Sequence, residues 1–265
     1  MTRTIPRCPS TYPVATEGLP PETSVGSSYE VRFARNRADL EAVLRLRFEV
    51  FNLELNEGLV ESYVSGLDED ELDARFHHLM ILERTTGAVV GTYRMQTPEM
   101  AAAWGGFYSA GEFDLSAIPP DLLAGSIEVG RACVAKPHRN GRVLHLLWRG
   151  LASYLSWNGK SALFGCCSLT SQDPALGIAT LRHLEREGLL HESISVPVLA
   201  ECACVIAEGT PLPAPHIPAL FATYLNLGAK ACGAPAIDRR FRTIDFLVLL
   251  DVGDLRLSRF RSFFA

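Results

Sequence analysis

The 265-residue chain predicts one mixed α/β (α+β) domain, a mixed central sheet flanked by helices. Three observations carry that prediction. Two strand-like stretches meet around an early Thr-Thr-Gly turn, and a strand–helix–strand order occupies the middle. Neither an internal repeat nor a second hydrophobic core is evident. Hydrophobic residues make up 48% and charged residues 21%, enough apolar material for a sizeable core.

Residues 1–27 are rich in Pro, Ser and Thr and read as a mobile leader; they lack the apolar segment of a secretion signal. The domain is expected over 28–252. YEVRFAR (29–35) alternates like a first strand. Residues 37–52 place Leu40, Val43, Leu44, Arg47 and Phe51 at helical spacing, and an acidic, loop-like stretch follows. HHLMILER (77–84), the turn 85–87 and AVVGTYRMQT (88–97) make a hairpin. Residues 98–124 look irregular or partly helical, and SIEVGRACV (126–134) reads as a strand. From Arg142 to about Gly159, Val143, Leu144, Leu147, Leu151, Tyr154 and Leu155 form the apolar stripe of an amphipathic helix. SALFGCCS (161–168) hardly alternates, as expected of a strand buried on both faces. A helix opens with Asp173 as N-cap and Pro174 in its first turn. A Pro-rich loop (211–218) leads to a short helix, residues 243–252 form a last strand, and 253–265 are a tail mixing Arg with Phe.

Composition narrows the function. No apolar run approaches the ~18 residues that span a bilayer, so a cytoplasmic protein is expected. The seven cysteines are odd in number and mostly in apolar stretches, as reduced thiols are. None has zinc-finger spacing, and no metal is expected. Cys166-Cys167 and Cys202-Ala203-Cys204 read either as ligands or nucleophiles, or as small apolar fillers of strands. A formal net charge of −5 argues against nucleic acid as a partner.

Three constellations can carry chemistry. Glu128-Val129-Gly130-Arg131 lies in an apolar strand, where an ion pair is costly unless it has good partners or work to do. Positions 128 and 131 of a regular strand face opposite ways, and a bulge at Gly130 would re-aim them. Asp70-Glu71-Leu72-Asp73, ahead of His77-His78, is either a solvated acidic turn or a carboxylate pair for a cationic substrate. Lys136, Arg139, Gly141 and Arg142 surround a helix start, with Arg149 two turns on; such a start offers amides and a positive dipole end to an anion.

LRLRFEVF (44–51), DEDELDARFHHL (68–79), GTYRMQT (91–97), EVGRACV (128–134) and PHRNGRVLHLLWRGL (137–151) occur in the order seen in a known family. The chain resembles the GNAT-type acyltransferases that include the ornithine N-acyltransferases (ornithine lipid synthases) and their haemolysin-like relatives, over roughly residues 30–252. The order also resembles that of the acyl-homoserine-lactone synthases. The resemblance implies transfer of a fatty, or 3-hydroxy fatty, acyl group from acyl carrier protein to the amine of an amino acid. Glu128 would draw the proton from that amine, with Arg131 beside it and Arg47, Asp70, Asp73, His78 and Arg94 binding substrate. Acetyl-CoA-dependent members carry an Arg/Gln-x-x-Gly-x-Gly/Ala turn; counted from Arg139, Arg142 and Leu144 take the Gly positions here. That departure fits the single phosphate of an acyl-phosphopantetheine arm on a carrier, with acyl-CoA the other donor.

Lys136, Arg139, Gly141, Arg142 and Arg149 would receive the arm and its acidic carrier. The oxyanion would meet a backbone N–H among Ala132–Val134. No cofactor is expected. The basic, aromatic tail would touch an anionic membrane face or pack on the domain. Rival readings are another amine acceptor, a homoserine-lactone signal synthase, and a non-catalytic lipid- or carrier-binding module.

Overall fold

A computed structural model describes residues 12–21 and 24–252. In chain order these form β1 (Ser24–Val25), β2 (Tyr29–Phe33), α1 (Arg37–Arg47), a π-helical stretch (Phe48–Glu54), α2 (Ser62–Ser65), β3 (His77–Glu83), β4 (Val89–Gln96) and α3 (Pro98–Trp104). Then come α4 (Pro120–Ala124), β5 (Ser126–Val134), α5 (Arg142–Trp157), β6 (Ala162–Leu169), α6 (Pro174–Arg186), α7 (Ala219–Leu227), β7 (Lys230–Ala231), β8 (Ala236–Asp238) and β9 (Thr243–Asp251). The described residues fall into two units, one of residues 12–105 with 129–160, the other of 106–128 with 161–252.

In the first unit β1 to β4 pair antiparallel in sequence order. Alternation along β3 decides what covers each face. Met80 joins Leu40, Val43 and Leu44 of α1 in one cluster. Leu79 and Ile81 turn the other way, towards Gly150, Val143 and Leu147 of α5. The helix comes close because two glycines leave room: a Cβ on Gly150 would stand 2.5 Å from Leu79 Cδ1, and one on Gly91 2.8 Å from Val143 Cγ1. α5 forms where its stripe predicts, with Val143, Leu147, Leu151, Tyr154 and Leu155 buried.

The second unit is built on β6 and β9, which pair antiparallel over their whole length. β7 and β8 add to β9, and Ser126–Glu128 of β5 pair parallel with Ala162–Phe164. Phe113, Ile118, Phe164, Val196, Leu247 and Leu249 form its core. The Asp173 carboxylate accepts from Ala175 N–H and caps α6 as expected. The mixed sheet with flanking helices is the predicted fold class.

Three expectations are corrected. Residues 12–21 do not stand apart as a leader. Tyr12 and Leu19 are buried, Val14 N–H bonds to Ala74 O, and Ala15 O accepts from the His77 ring. Apolar side chains in the Pro-rich stretch give it something to bury. The helix expected over 37–52 is α-helical only to Arg47 and continues with π-type pairing. The irregularity in β5 sits at Arg131, whose φ of 47° is left-handed, and not at Gly130. Residues 1–11 and 253–265, with Cys8 and the basic tail, lie outside the described residues. Among those described, no helix is long and apolar enough to cross a membrane.

Candidate active site

The first unit holds a buried lattice of three arginines and three aspartates. Arg47, at the end of α1, is 1% exposed. Its Nε donates to Asp68 at 2.9 Å, and its two terminal nitrogens grip Asp73 at 2.5 and 3.3 Å. Arg94 on β4 donates to Asp70 at 2.6 Å and Asp73 at 3.1 Å. Arg131 on β5 closes the lattice on Asp68 and lays its guanidinium 3.9 Å from the centre of the Phe51 ring. Asp73 also accepts from Asp70 N–H, which folds the 70–73 turn around it. Three positive and three negative charges cancel, the condition under which buried ions are tolerated. Burial alone would raise the Asp68 carboxyl, but Arg131 and Arg47 hold it well below the usual carboxylate range. Asp73 is lowered likewise against burial by Arg47 and Arg94. His78 lies beneath, its Nε2 on Asp73 O; burial and then Arg47 push its ring well below the usual value, so it is neutral.

Of the residues predicted to bind substrate, Arg47, Asp70, Asp73, His78 and Arg94 are thus brought together, but the arginines and aspartates pair with one another and the neutral His78 bonds the Asp73 backbone. The reading of 70–73 as a solvated turn does not hold for its aspartates, because Asp70 and Asp73 are buried while Glu71 between them is exposed. Asp68 was not singled out, although it joins Arg47 to Arg131. Its signal was its place two residues before Asp70 in the same acidic run.

The left-handed backbone at Arg131 aims its side chain at Asp68 and Phe51. Outside glycine that conformation costs roughly 1–2 kcal/mol, and here the ion pair and the stack offset it.

Glu128 has its own partners in the second unit. It is 3% exposed, and three donors converge on it. Tyr108 N–H reaches Oε2 at 2.9 Å; Ser109 N–H and Ser109 Oγ–H reach Oε1 at 2.7 and 2.6 Å. Two successive amides of the 3₁₀ turn Tyr108–Gly111 thus fix the carboxylate's orientation. Ser109 was missed from sequence because the stretch 98–124 has no periodicity to place it. Glu128 pairs with Phe164 in the parallel ladder between β5 and β6. Cys166 on β6 donates its thiol to Ser109 Oγ at 3.6 Å, while Cys167 is buried.

Of the predicted carrier-binding residues, Lys136, Arg139, Gly141 and Arg142 lie between β5 and the first residue of α5, and Arg149 lies within α5. Lys136, Arg139 and Arg142 are exposed and Arg149 is half-buried. Gly141 is the N-cap of α5 with φ 78°, a position that favours glycine, and no side chain caps from it. Arg139 is partly committed: its guanidinium forks onto Glu54 at 2.5 and 2.8 Å.

Residues 46–149 match the acetyltransferase (GNAT) domain family. The chain is 31% identical over 251 residues to an L-ornithine N(alpha)-acyltransferase of Agrobacterium fabrum, covering 89% of this chain and 84% of that one. It is 32% identical over 240 residues to an enzyme of the same name from Rhodobacter capsulatus, covering 84% and 90%. A solved CoA-dependent acyl-homoserine lactone synthase aligns at 13% identity and a TM-score of 0.47 over 86% of this chain and 89% of that one. By its identity and coverage with those curated relatives, the chain belongs to the L-ornithine N(alpha)-acyltransferase family of GNAT-domain acyltransferases.

Proposed function

We propose that the protein moves a fatty acyl group, plain or 3-hydroxylated, from acyl carrier protein to the α-amine of ornithine, giving a lyso-ornithine lipid. The α-nitrogen attacks the thioester carbonyl, the new C–N bond forms and the C–S bond breaks. The amine's proton passes to Glu128 and leaves with the phosphopantetheine thiol. Backbone N–H among Ala132–Val134 is assigned to the developing oxyanion. The observation that carries the reading is Glu128: a buried carboxylate held in one orientation by three donors, in a family whose relatives acylate ornithine. A positioned base is worth about 10²–10⁴-fold in rate. The arginine–aspartate lattice is assigned to fixing β5, whose Arg131 it holds, and the substrate's carboxylate to Arg94 or Arg131.

The donor reading is supported by the exposed basic residues Lys136, Arg139 and Arg142 around the start of α5, where only the Arg142 N–H is seen to meet a side chain, Asn140 Oδ1 at 3.1 Å. A carrier is acidic and its arm has one phosphate. Activity is read as free thiol and product mass, with acyl carrier protein or acyl-CoA as donor and a panel of amino acids as acceptors. The expected outcome is turnover with carrier-bound donor and ornithine. Turnover only with another amino acid, or only with acyl-CoA, removes the corresponding half of the proposal. Glu128→Gln is expected to lower kcat by about 10²-fold or more. Its amide nitrogen would face Tyr108 N–H, a donor against a donor, at about 1–3 kcal/mol of stability. Near wild-type kcat in a folded variant sinks the base assignment.

A further inference from the structure

Arg139, a predicted donor-binding cation, already holds an anion. Its Nη1 and Nη2 fork onto Glu54 at 2.5 and 2.8 Å, while its Nε donates to Val134 O at 2.9 Å. A guanidinium fork takes a carboxylate and a phosphate in the same two-pronged way, so Glu54 stands where a donor phosphate is expected. The pair is open to water, with 40% of the Arg139 side chain and 28% of the Glu54 side chain exposed. Such a pair is weak and screened by salt, so a phosphate can displace the carboxylate. Displacement does not take Glu54 far. It ends the π-helical stretch Phe48–Glu54, and the chain on either side is tied down by its own bonds. Leu55 N–H bonds to Val50 O, Glu57 and Gly58 N–H both bond to Phe51 O, and Asn52 Nδ2 donates to Leu59 O. None of these bonds involves Arg139. The Arg139 hydrogen bonds first, then the charges of Arg139 and Lys136, hold the Glu54 carboxyl below its usual value, so it is ionised at neutral pH. The basic turn therefore keeps a fixed negative charge beside its phosphate seat.

We infer that Glu54 selects the donor by charge: it yields the Arg139 fork to a single phosphate and repels the further phosphates of a nucleotide-bearing donor. The inference deepens the reading above and rests on its donor site at Arg139. A pantetheine arm on a carrier brings one phosphate to the turn. In acyl-CoA that phosphate is bonded to a second, and a third sits on the ribose. The first phosphate exchanges one for one with the carboxylate at the fork. The extra phosphates then stand near the displaced carboxylate, where like charges disfavour binding. A repulsive group of this kind discriminates between ligands that share the same attractive contact. Glu54 reaches the turn from 85 residues away in the chain, so no local spacing links it to the donor.

The test compares acyl carrier protein and acyl-CoA, loaded with the same acyl chain, as donors for wild type, Glu54→Gln and Glu54→Asp. Wild type is expected to prefer the carrier-bound donor. Glu54→Gln is expected to lower KM for acyl-CoA about tenfold and KM for the carrier-bound donor no more than about threefold, most strongly at low salt. Glu54→Asp keeps the charge on the same anchored backbone and should keep the wild-type preference. In parallel, calorimetry should show free CoA binding to Glu54→Gln about tenfold more tightly than to wild type. A donor preference that Glu54→Gln leaves intact overturns the inference. So does an equal loss of preference in Glu54→Asp, which would make reach and not charge the determinant. A higher KM for both donors in Glu54→Gln also overturns it, since Glu54 would then be holding Arg139 in place for the phosphate. In each of these cases the transfer reading stands. Tighter CoA binding by Glu54→Gln with no turnover from either donor upholds the role of Glu54 and sinks the transfer reading.

Discussion

Arg47 shows most clearly what the buried charges demand. It spans Asp68 and Asp73, both fully buried, so Arg47→Met leaves an excess negative charge with no water to solvate it. The expected loss is about 3–5 kcal/mol in urea unfolding. Adding Asp73→Asn removes the excess charge, and the pair should lose clearly less than the sum of the two singles. Strict additivity would mean that the lattice does not act as one unit. The residues of this lattice were visible in the chain only as scattered polar positions, because Arg47 and Asp73 stand 26 apart and no periodicity joins them. Family resemblance grouped five of them; Asp68, Ser109 and Glu112 carried no such mark. The β5 irregularity was placed one residue early, since glycine is the residue that ordinarily takes such a backbone and here an arginine does.

Among the elements, α5 concentrates two predictions. Gly150 lets it lie on β3, and an added methyl meets three Leu79 carbons at 2.5–3.1 Å. Alanine gains about 1 kcal/mol in helix propensity, yet overpacking of this kind costs about 1–3 kcal/mol, so Gly150→Ala should destabilise modestly. Adding Leu79→Val should recover part of the loss; a stabilised single variant would contradict the close packing. The other end of α5 bears on the donor. Arg139→Glu would place a carboxylate against Glu54, so Lys136→Glu with Arg142→Glu is the cleaner reversal. It should raise KM for carrier-bound donor several-fold, most strongly at low salt, with kcat little changed. An unchanged KM places docking elsewhere. β5 and α5 were legible in sequence because long apolar patterns specify them. The π-helical stretch was not, since over seven residues its spacing is hard to tell from an α-helix.

For the molecule as a whole, the buried titrating groups set a stability maximum. His77 is held neutral, its Nδ1 on the Tyr154 hydroxyl and its Nε2 on Ala15 O, and burial lowers its ring to about 4. Below pH ~6.5 the unfolded chain takes up this proton while the fold does not, so stability drops as pH falls from about 6.5 to about 4, by about 3 kcal/mol for this ring alone. His78 acts in the same direction. Asp68 and Asp73, both lowered, extend the loss below the ordinary carboxylate range. Glu112 has the opposite sign. Its carboxyl, raised to about 9, keeps a proton that the unfolded chain gives up above pH ~4.5, so its contribution is lost as pH rises towards 9. Between about 4.5 and 6.5 two rings outweigh one carboxyl and stability climbs; between about 6.5 and 8 the carboxyl dominates and stability falls at up to ~1.4 kcal/mol per pH unit, and above that the thiols of Cys133, Cys166, Cys167 and Cys232, raised by burial, add to the fall. Urea midpoints from pH 4.5 to 9 should therefore peak near pH 6.5. His77→Gln should flatten the acid limb, and Glu112→Gln the alkaline one. An alkaline limb already flat in the wild type would mean that Glu112 is ionised in the fold, with a counter-charge beside it that offsets its burial.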